Sequence, residues 1–186
     1  KNFVHEKYAV IHPVNNWPNR TWSQDNWLKL SEELVKWGYK VVAVGKDSSE
    51  TGFFNVQKPV HEMDNNITNL MNKTSISQTW YLINNAAAVI TMDSGILHLA
   101  GTTETPIIEL GSPINPEFRR PYRKTSKHIY VRGGCGLHCS SNMKYALEYW
   151  PTIDYVQPLI GCLEKKETYE CHPSVEQVIH AINNNI

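Results

Sequence analysis

Apolar and polar positions along the chain alternate between short strand-like runs and longer helical patterns. Tyr8 to His12 is a short apolar run that ends at Pro13, which predicts a first strand. Ser23 is a suitable N-cap, and apolar residues then recur at helical spacing as far as Gly38, whose type suits a left-handed position after a helix. Further strands are predicted at residues 40–44, 88–92, 106–110 and 128–131.

Helical patterns separate these strands. Thr74 or Ser75 can cap a helix with Ile76, Trp80 and Ile83 on its apolar face, and a shorter pattern ends at Gly101. Residues 67–71 predict only a short strand and a helical turn. This alternation indicates an α/β fold, a Rossmann-like parallel sheet flanked by helices, followed by a cysteine-containing carboxyl-terminal segment.

Composition excludes several classes of function. The 186 residues carry 18 Lys and Arg and 18 Asp and Glu, so the formal net charge is zero and no basic nucleic-acid footprint exists globally. No apolar run approaches the roughly 20 residues of a membrane helix, so no transmembrane segment is expected. The chain begins at Lys1 without a methionine, and we expect it to be a piece of a longer protein.

The motif richest in chemistry runs from Thr91 through Asp93-Ser94-Gly95 to His98. It leads from the carboxyl end of a buried strand into a helix, and ligands of open α/β sheets bind at that edge. A helix N-terminus attracts phosphate, Asp93 could hydrogen-bond a hydroxyl or fix the turn, and His98 could donate to a phosphate or leaving oxygen. The competing interpretation is a structural turn with a capping aspartate and a buried histidine.

The stretch from Asp93 to Ala100, followed by residues 105–113, resembles the carboxyl-terminal half of family 9 glycosyltransferases. Those are bacterial lipopolysaccharide heptosyltransferases with a GT-B fold of two Rossmann-like domains. Their pattern is D-[ST]-G-x-x-H followed by a strand. His12-Pro13 with Arg20-Thr21-Trp22, and Cys171-His172-Pro173 before the last helix, are similar to other parts of the family pattern.

The resemblance implies a donor-binding site at the edge of the sheet. Arg20 replaces the family's diphosphate-binding lysine, and a guanidinium also suits phosphate. Asp93 is expected to face the donor sugar and phosphate. The whole set of donor-binding candidates is Asn15, Asn16, Arg20, Glu50, Thr74, Asp93, Ser94, Gly95 and His98.

The resemblance also implies what lies elsewhere. The acceptor site and catalytic base of these enzymes belong to an amino-terminal domain, which we expect to be missing here, so no catalytic base is assigned in this chain. Asp93 and His98 are candidate assistants only. Residues 1–131 are predicted as the nucleotide-sugar-binding core, and residues 132–186 as the cysteine-containing segment with a closing helix packed on that core.

Four cysteines, Cys135, Cys139, Cys162 and Cys171, lie in the last third of the chain. They could form a tetrahedral structural site for zinc or iron, and some autotransporter heptosyltransferases similar to this family carry a four-cysteine iron site here. His138 could replace one ligand. Two disulfides are the competing interpretation, although such a transferase is expected in the cytosol, which disfavours disulfides.

A basic loop with Arg119, Arg120 and Arg123 follows the strand that ends at Leu110. It could close over a donor phosphate or receive an anionic acceptor, and the competing interpretation is a solvated loop.

The function predicted from the sequence is the donor-binding half of an inverting glycosyltransferase in lipopolysaccharide biosynthesis. The donor would be a nucleotide diphosphate sugar such as ADP-heptose, and the acceptor a glycan or protein hydroxyl. No catalytic cofactor is expected, because no D-x-D motif is present to hold a divalent metal. The expected location is the cytoplasm, and the protein could also be peripheral to the inner membrane. The alternatives are a nucleotide-binding module without transfer activity and another GT-B sugar-nucleotide enzyme such as an epimerase.

Overall fold

A computed structural model describes residues 6–14, 20–46, 65–122, 127–136 and 170–186. Six strands form one parallel sheet: β1 (Tyr8–His12), β2 (Lys40–Ala43), β3 (Ile67–Asn69), β4 (Ala88–Met92), β5 (Ile107–Leu110) and β6 (His128–Val131). Within the described residues, four α-helices accompany it: α1 (Gln24–Lys36), α2 (Ile76–Asn84), α3 (Gly95–Gly101) and α4 (Val175–Asn185). The predicted Rossmann-like parallel sheet flanked by helices is therefore confirmed.

The strand order is β3-β2-β1-β4-β5-β6, and every neighbouring pair is parallel. The order reverses between β1 and β4, and the chain continues from β1 to α1 on one face of the sheet and from β4 to α3 on the other. Ligands of such sheets bind at this switch point. The segment that follows His12 and the Asp93-Ser94-Gly95 segment that follows Met92 both leave the sheet at this switch point.

Both faces of the sheet are covered, which explains the near-continuous apolar runs of its central strands. On one face, Ile11, Ile90 and Ile108 pack with the apolar stripes of α1 and α4. On the other face, Val10, Val89 and Ile107 pack with residues of α2 and α3.

Helix α1 follows the sequence prediction closely. The Ser23 side chain accepts a hydrogen bond from the backbone N–H of Asn26, and Trp27, Leu30 and Leu34 are buried. The helix ends ahead of Gly38, whose φ of 83° is the left-handed conformation predicted for it.

Helix α2 corrects the sequence prediction of its apolar face. Ile76 is 78% exposed and Trp80 is 38% exposed, whereas Thr79 and Ile83 are buried. Thr79 can be buried because its hydroxyl hydrogen-bonds to that of Thr74, 2.8 Å away. The helix begins after Ser75, whose side chain forms a capping box with Gln78.

The closing helix α4 is tied to the first loop of the core. The Trp22 indole N–H donates to the Pro173 carbonyl at 2.8 Å, just ahead of α4. The Trp22 and Trp27 rings meet edge to face with centroids 5.1 Å apart. This contact fixes the segment beside Arg20 against the body of the domain. Among the helices of the described residues, none is long and apolar enough to cross a membrane.

Candidate donor-binding site

Arg20 and Asp93 meet at the switch point between β1 and β4. The Arg20 Nη2 atom donates to the backbone carbonyl of Asp93 at 2.7 Å and lies 2.9 Å from its Oδ2. The Arg20 side chain is 12% exposed and the Asp93 side chain 4%. Burial lowers the pKa of Arg20 and the Asp93 carboxylate opposes that change, but an arginine stays protonated in proteins. The contact is therefore a largely buried ion pair.

A second guanidinium approaches the same carboxylate from the loop after β5. The Arg119 Nε atom lies 4.0 Å from Asp93 Oδ2, and the Arg119 side chain is about half exposed. Arg120 instead pairs with Glu117 at 3.1 Å, and both of those side chains are exposed. The predicted basic loop thus brings Arg119, but not Arg120, against Asp93. Arg123 lies outside the described residues.

Ser94 is the N-cap residue of α3, but its side chain does not cap the helix. Its hydroxyl lies 3.1 Å from that of Thr91, which in turn lies 3.5 Å from His12 Nδ1. Burial lowers the pKa of His12 to about 4, so this imidazole is neutral at physiological pH. The Thr91 hydroxyl donates to the Met92 carbonyl at 2.9 Å, so it can accept from the Ser94 hydroxyl and hold that side chain beside Asp93.

The remaining predicted site residues lie on α3, just ahead of α2, or outside the described residues. Gly95 and His98 are exposed on α3, and Thr74 is partly buried just ahead of α2. Asn15, Asn16 and Glu50 lie outside the described residues.

Glu109 is a buried acid that the sequence prediction missed. It lies within β5, is 1% exposed, and its Oε2 is 2.6 Å from His128 Nε2 on β6. Burial raises the pKa of Glu109, while the hydrogen bond and charge of His128 act in the opposite direction. The signal that could have revealed it is a single acidic residue inside the apolar run Ile107–Leu110.

Two of the four cysteines are described. The backbone N–H of Cys135 donates to the Glu170 carbonyl and that of Gly133 to the Cys171 carbonyl, each at 3.1 Å. A Cβ at Gly133 would collide with the carbonyl oxygens of Glu170 and His172, so the two segments approach closely. Cys135 and Cys171 are not joined by a disulfide. The described residues contain no group of three or more metal-ligating side chains, and Cys139, Cys162 and His138 lie outside them.

A six-stranded parallel sheet with helices on both faces defines a Rossmann-like α/β domain, and the family is shown directly. The family model described as glycosyltransferase family 9 (heptosyltransferase) matches residues 1–146. The chain belongs to that family, as its D-S-G-x-x-H motif indicated.

Curated relatives are heptosyltransferases. Lipooligosaccharide heptosyltransferase 2 of Haemophilus influenzae is 31% identical over 105 residues, covering 56% of this chain and 30% of the relative. Lipopolysaccharide heptosyltransferase 2 of Salmonella typhimurium is 28% identical over 118 residues, covering 63% of this chain and 34% of the relative. The chain therefore spans about a third of the length of these relatives.

Solved structures share the fold. The iron-containing heptosyltransferase TibC, in complex with ADP-D-β-D-heptose, superposes with a TM-score of 0.74 at 19% identity, covering 99% of this chain and 46% of TibC. A family 9 glycosyltransferase from Veillonella parvula gives a TM-score of 0.70 at 21% identity, covering 96% of this chain and 45% of the other.

Proposed function

We propose that the carboxyl edge of this sheet binds the diphosphate of an ADP-heptose-like donor, as the donor-binding half of an inverting glycosyltransferase. The observation that carries the proposal is the convergence of Arg20 and Arg119 on Asp93 at the switch point. Two guanidinium groups facing one carboxylate leave an excess of positive charge at the place where α/β sheets bind ligands. TibC, which has this fold, was solved with ADP-D-β-D-heptose.

In the proposed reaction, negative charge grows on the diphosphate as its bond to the sugar breaks. Arg20 is held in a largely buried position, where its electrostatic effect is stronger than in water. It would stabilise the departing diphosphate at little cost in reorganisation, with Arg119 adding a second positive charge from the loop. The acceptor would be a glycan or protein hydroxyl, deprotonated by a base outside this chain. The enzyme would act in the cytoplasm, peripheral to the inner membrane.

The proposal predicts selective binding of nucleoside diphosphates. ADP and ADP-sugars should raise the melting temperature of this chain, because a ligand that binds only the folded state stabilises it. Adenosine should have a much smaller effect, because it lacks the diphosphate. The measurement is a thermal-shift titration with ADP, UDP, adenosine and ADP-glucose. The site assignment is wrong if no nucleotide at millimolar concentration changes the melting temperature.

The cysteines form the second part of the proposal: Cys135, Cys139, Cys162 and Cys171 hold one structural iron or zinc ion. Thiolates suit both metals, and the close backbone approach of the Cys135 and Cys171 segments is compatible with a shared ion. TibC is described as iron-containing. The metal would order residues 132–172 and take no part in the transfer reaction.

Elemental analysis of the purified protein should therefore find iron or zinc, and Cys171→Ser should lower the metal content. A chelator should increase hydrogen exchange in residues 132–172 while the sheet stays protected, because metal binding is coupled to folding of its segment. If the protein contains neither iron nor zinc and all four cysteine thiols can be titrated, the metal site is ruled out. Two S–S bonds would establish the disulfide alternative instead.

A further inference from the structure

Asp93 makes an unusual neighbour for a diphosphate site, because it is a buried carboxylate. Its side chain is 4% exposed and lies against Arg20. A carboxylate beside a bound diphosphate repels it, and this repulsion is strong where water is excluded. Direct contact between Asp93 and phosphate is therefore unfavourable, and its presence at this place calls for another role.

The contacts with Arg20 indicate that role. A single nitrogen, Arg20 Nη2, is held by two oxygen atoms of the same residue, the backbone carbonyl at 2.7 Å and Oδ2 at 2.9 Å. The guanidinium group is planar, so fixing one nitrogen by two acceptors restricts the orientation of the whole group. Asp93 directly follows β4, so the acceptors are anchored to a central strand of the sheet.

We propose that Asp93 is a positioning residue that orients the Arg20 guanidinium toward the donor diphosphate. The family resemblance implies a contact with the donor sugar instead. The inference rests on the proposed function, since it takes the diphosphate as the ligand of Arg20. Arg20 stands where the family carries lysine, and a lysine has no planar group to orient, so this role is specific to the arginine.

The three possible roles of Asp93 predict different results for Asp93→Asn. Positioning predicts weaker binding of both ADP and inorganic pyrophosphate, because Arg20 loses its charge-assisted contact. Repulsion alone predicts tighter binding of both, because a negative charge is removed. A sugar contact predicts unchanged ADP binding and weaker binding of an ADP-sugar only.

The test is calorimetric titration of ADP, pyrophosphate and adenosine into the intact chain and its variants. Asp93→Asn should weaken ADP and pyrophosphate binding about tenfold, because Arg20 Nη2 loses its ion pair with Oδ2 and keeps only the bond to the backbone carbonyl. Adenosine binding should stay unchanged. In an Arg20→Ala background the same change should no longer weaken binding and should instead strengthen it, because the residue that Asp93 positions is gone and only the repulsion by the carboxylate is removed. Glu33→Gln is the matched control, since it removes a carboxylate paired with Lys36 at the far end of α1.

A second measurement does not depend on nucleotide binding. In ligand-free protein, nitrogen-15 NMR should show slow rotation of the Arg20 guanidinium, and Asp93→Asn should accelerate it. Fast rotation in the unsubstituted protein overturns the positioning role, even if ADP binds. Slow rotation without any ADP binding would leave Arg20 positioned but would refute the diphosphate as its ligand, and with it this inference. Unchanged or tighter ADP binding by Asp93→Asn also overturns it.

Discussion

Arg20→Ala should weaken ADP binding by about 1.5–3 kcal/mol, the usual cost of losing a hydrogen bond to a charged group. Adenosine binding should change little, because the proposed contact is with the diphosphate. Arg20 lies at the switch point and is only 12% exposed, so its charge is poorly screened by solvent. Titration calorimetry with ADP and adenosine measures both effects.

Two variants control this experiment. Lys36→Ala removes an exposed cation from the last turn of α1 and should leave ADP affinity unchanged. Arg20→Lys restores the residue that the family resemblance implies, and should retain most of the affinity. Equal losses for ADP and adenosine in Arg20→Ala would show that Arg20 acts on the fold rather than on the diphosphate.

The sheet was predicted well because the sequences of its central strands are compatible with few other structures. Ala88–Met92 is apolar at nearly every position, and only a strand covered on both faces buries such a run. Helix α2 was harder, because Ile76, Trp80 and Ile83 share one face while Thr79 and Ile83 share another. The choice depended on a partner for the Thr79 hydroxyl, which Thr74 supplies.

The sequence analysis named the candidate residues of the site, but it did not predict the contacts between them. Arg20 and Asp93 were both assigned to it, although their ion pair joins residues 73 positions apart and depends on β1 and β4 being neighbours. The position of Arg119 depends on the path of the loop after β5, which no local pattern encodes. The boundary between residues 131 and 132 and the donor-binding roles of all the candidate residues, from Asn15 to His98, stay predictions.

The buried pair of Glu109 and His128 provides the largest expected effect on stability. His128→Ala should destabilise the fold by about 3–5 kcal/mol near neutral pH, because it leaves a buried carboxylate without its partner. Glu109 Oε2 is 2.6 Å from the imidazole, and the two side chains are 2% and 14% exposed. His180→Ala is the matched control: His180 is exposed on α4, so its loss should cost less than about 0.5 kcal/mol.

The effect of His128→Ala should depend on pH in a defined direction. Burial raises the pKa of Glu109 above its ordinary value of 4.5, so the folded state favours the protonated acid. The stability contributed by this group is then complete below about pH 4.5 and is lost as the pH rises through the folded-state pKa. His128 limits this loss by stabilising the carboxylate. Its removal raises the pKa of Glu109 further, so the variant should lose more stability than the unsubstituted protein as the pH rises.

Denaturant unfolding at about pH 5 and about pH 8 measures this difference, which should be larger at the higher pH. Adding Glu109→Gln to His128→Ala separates the charge from the packing. The amide cannot ionise, so the double variant should recover much of the lost stability and show a weaker pH dependence. If the double variant is no more stable than His128→Ala and both unfold alike at the two pH values, the cost lies in the cavity left by the imidazole. The pair would then contribute to the sheet through shape alone, and the charge of Glu109 would have no part in holding β5 and β6 together.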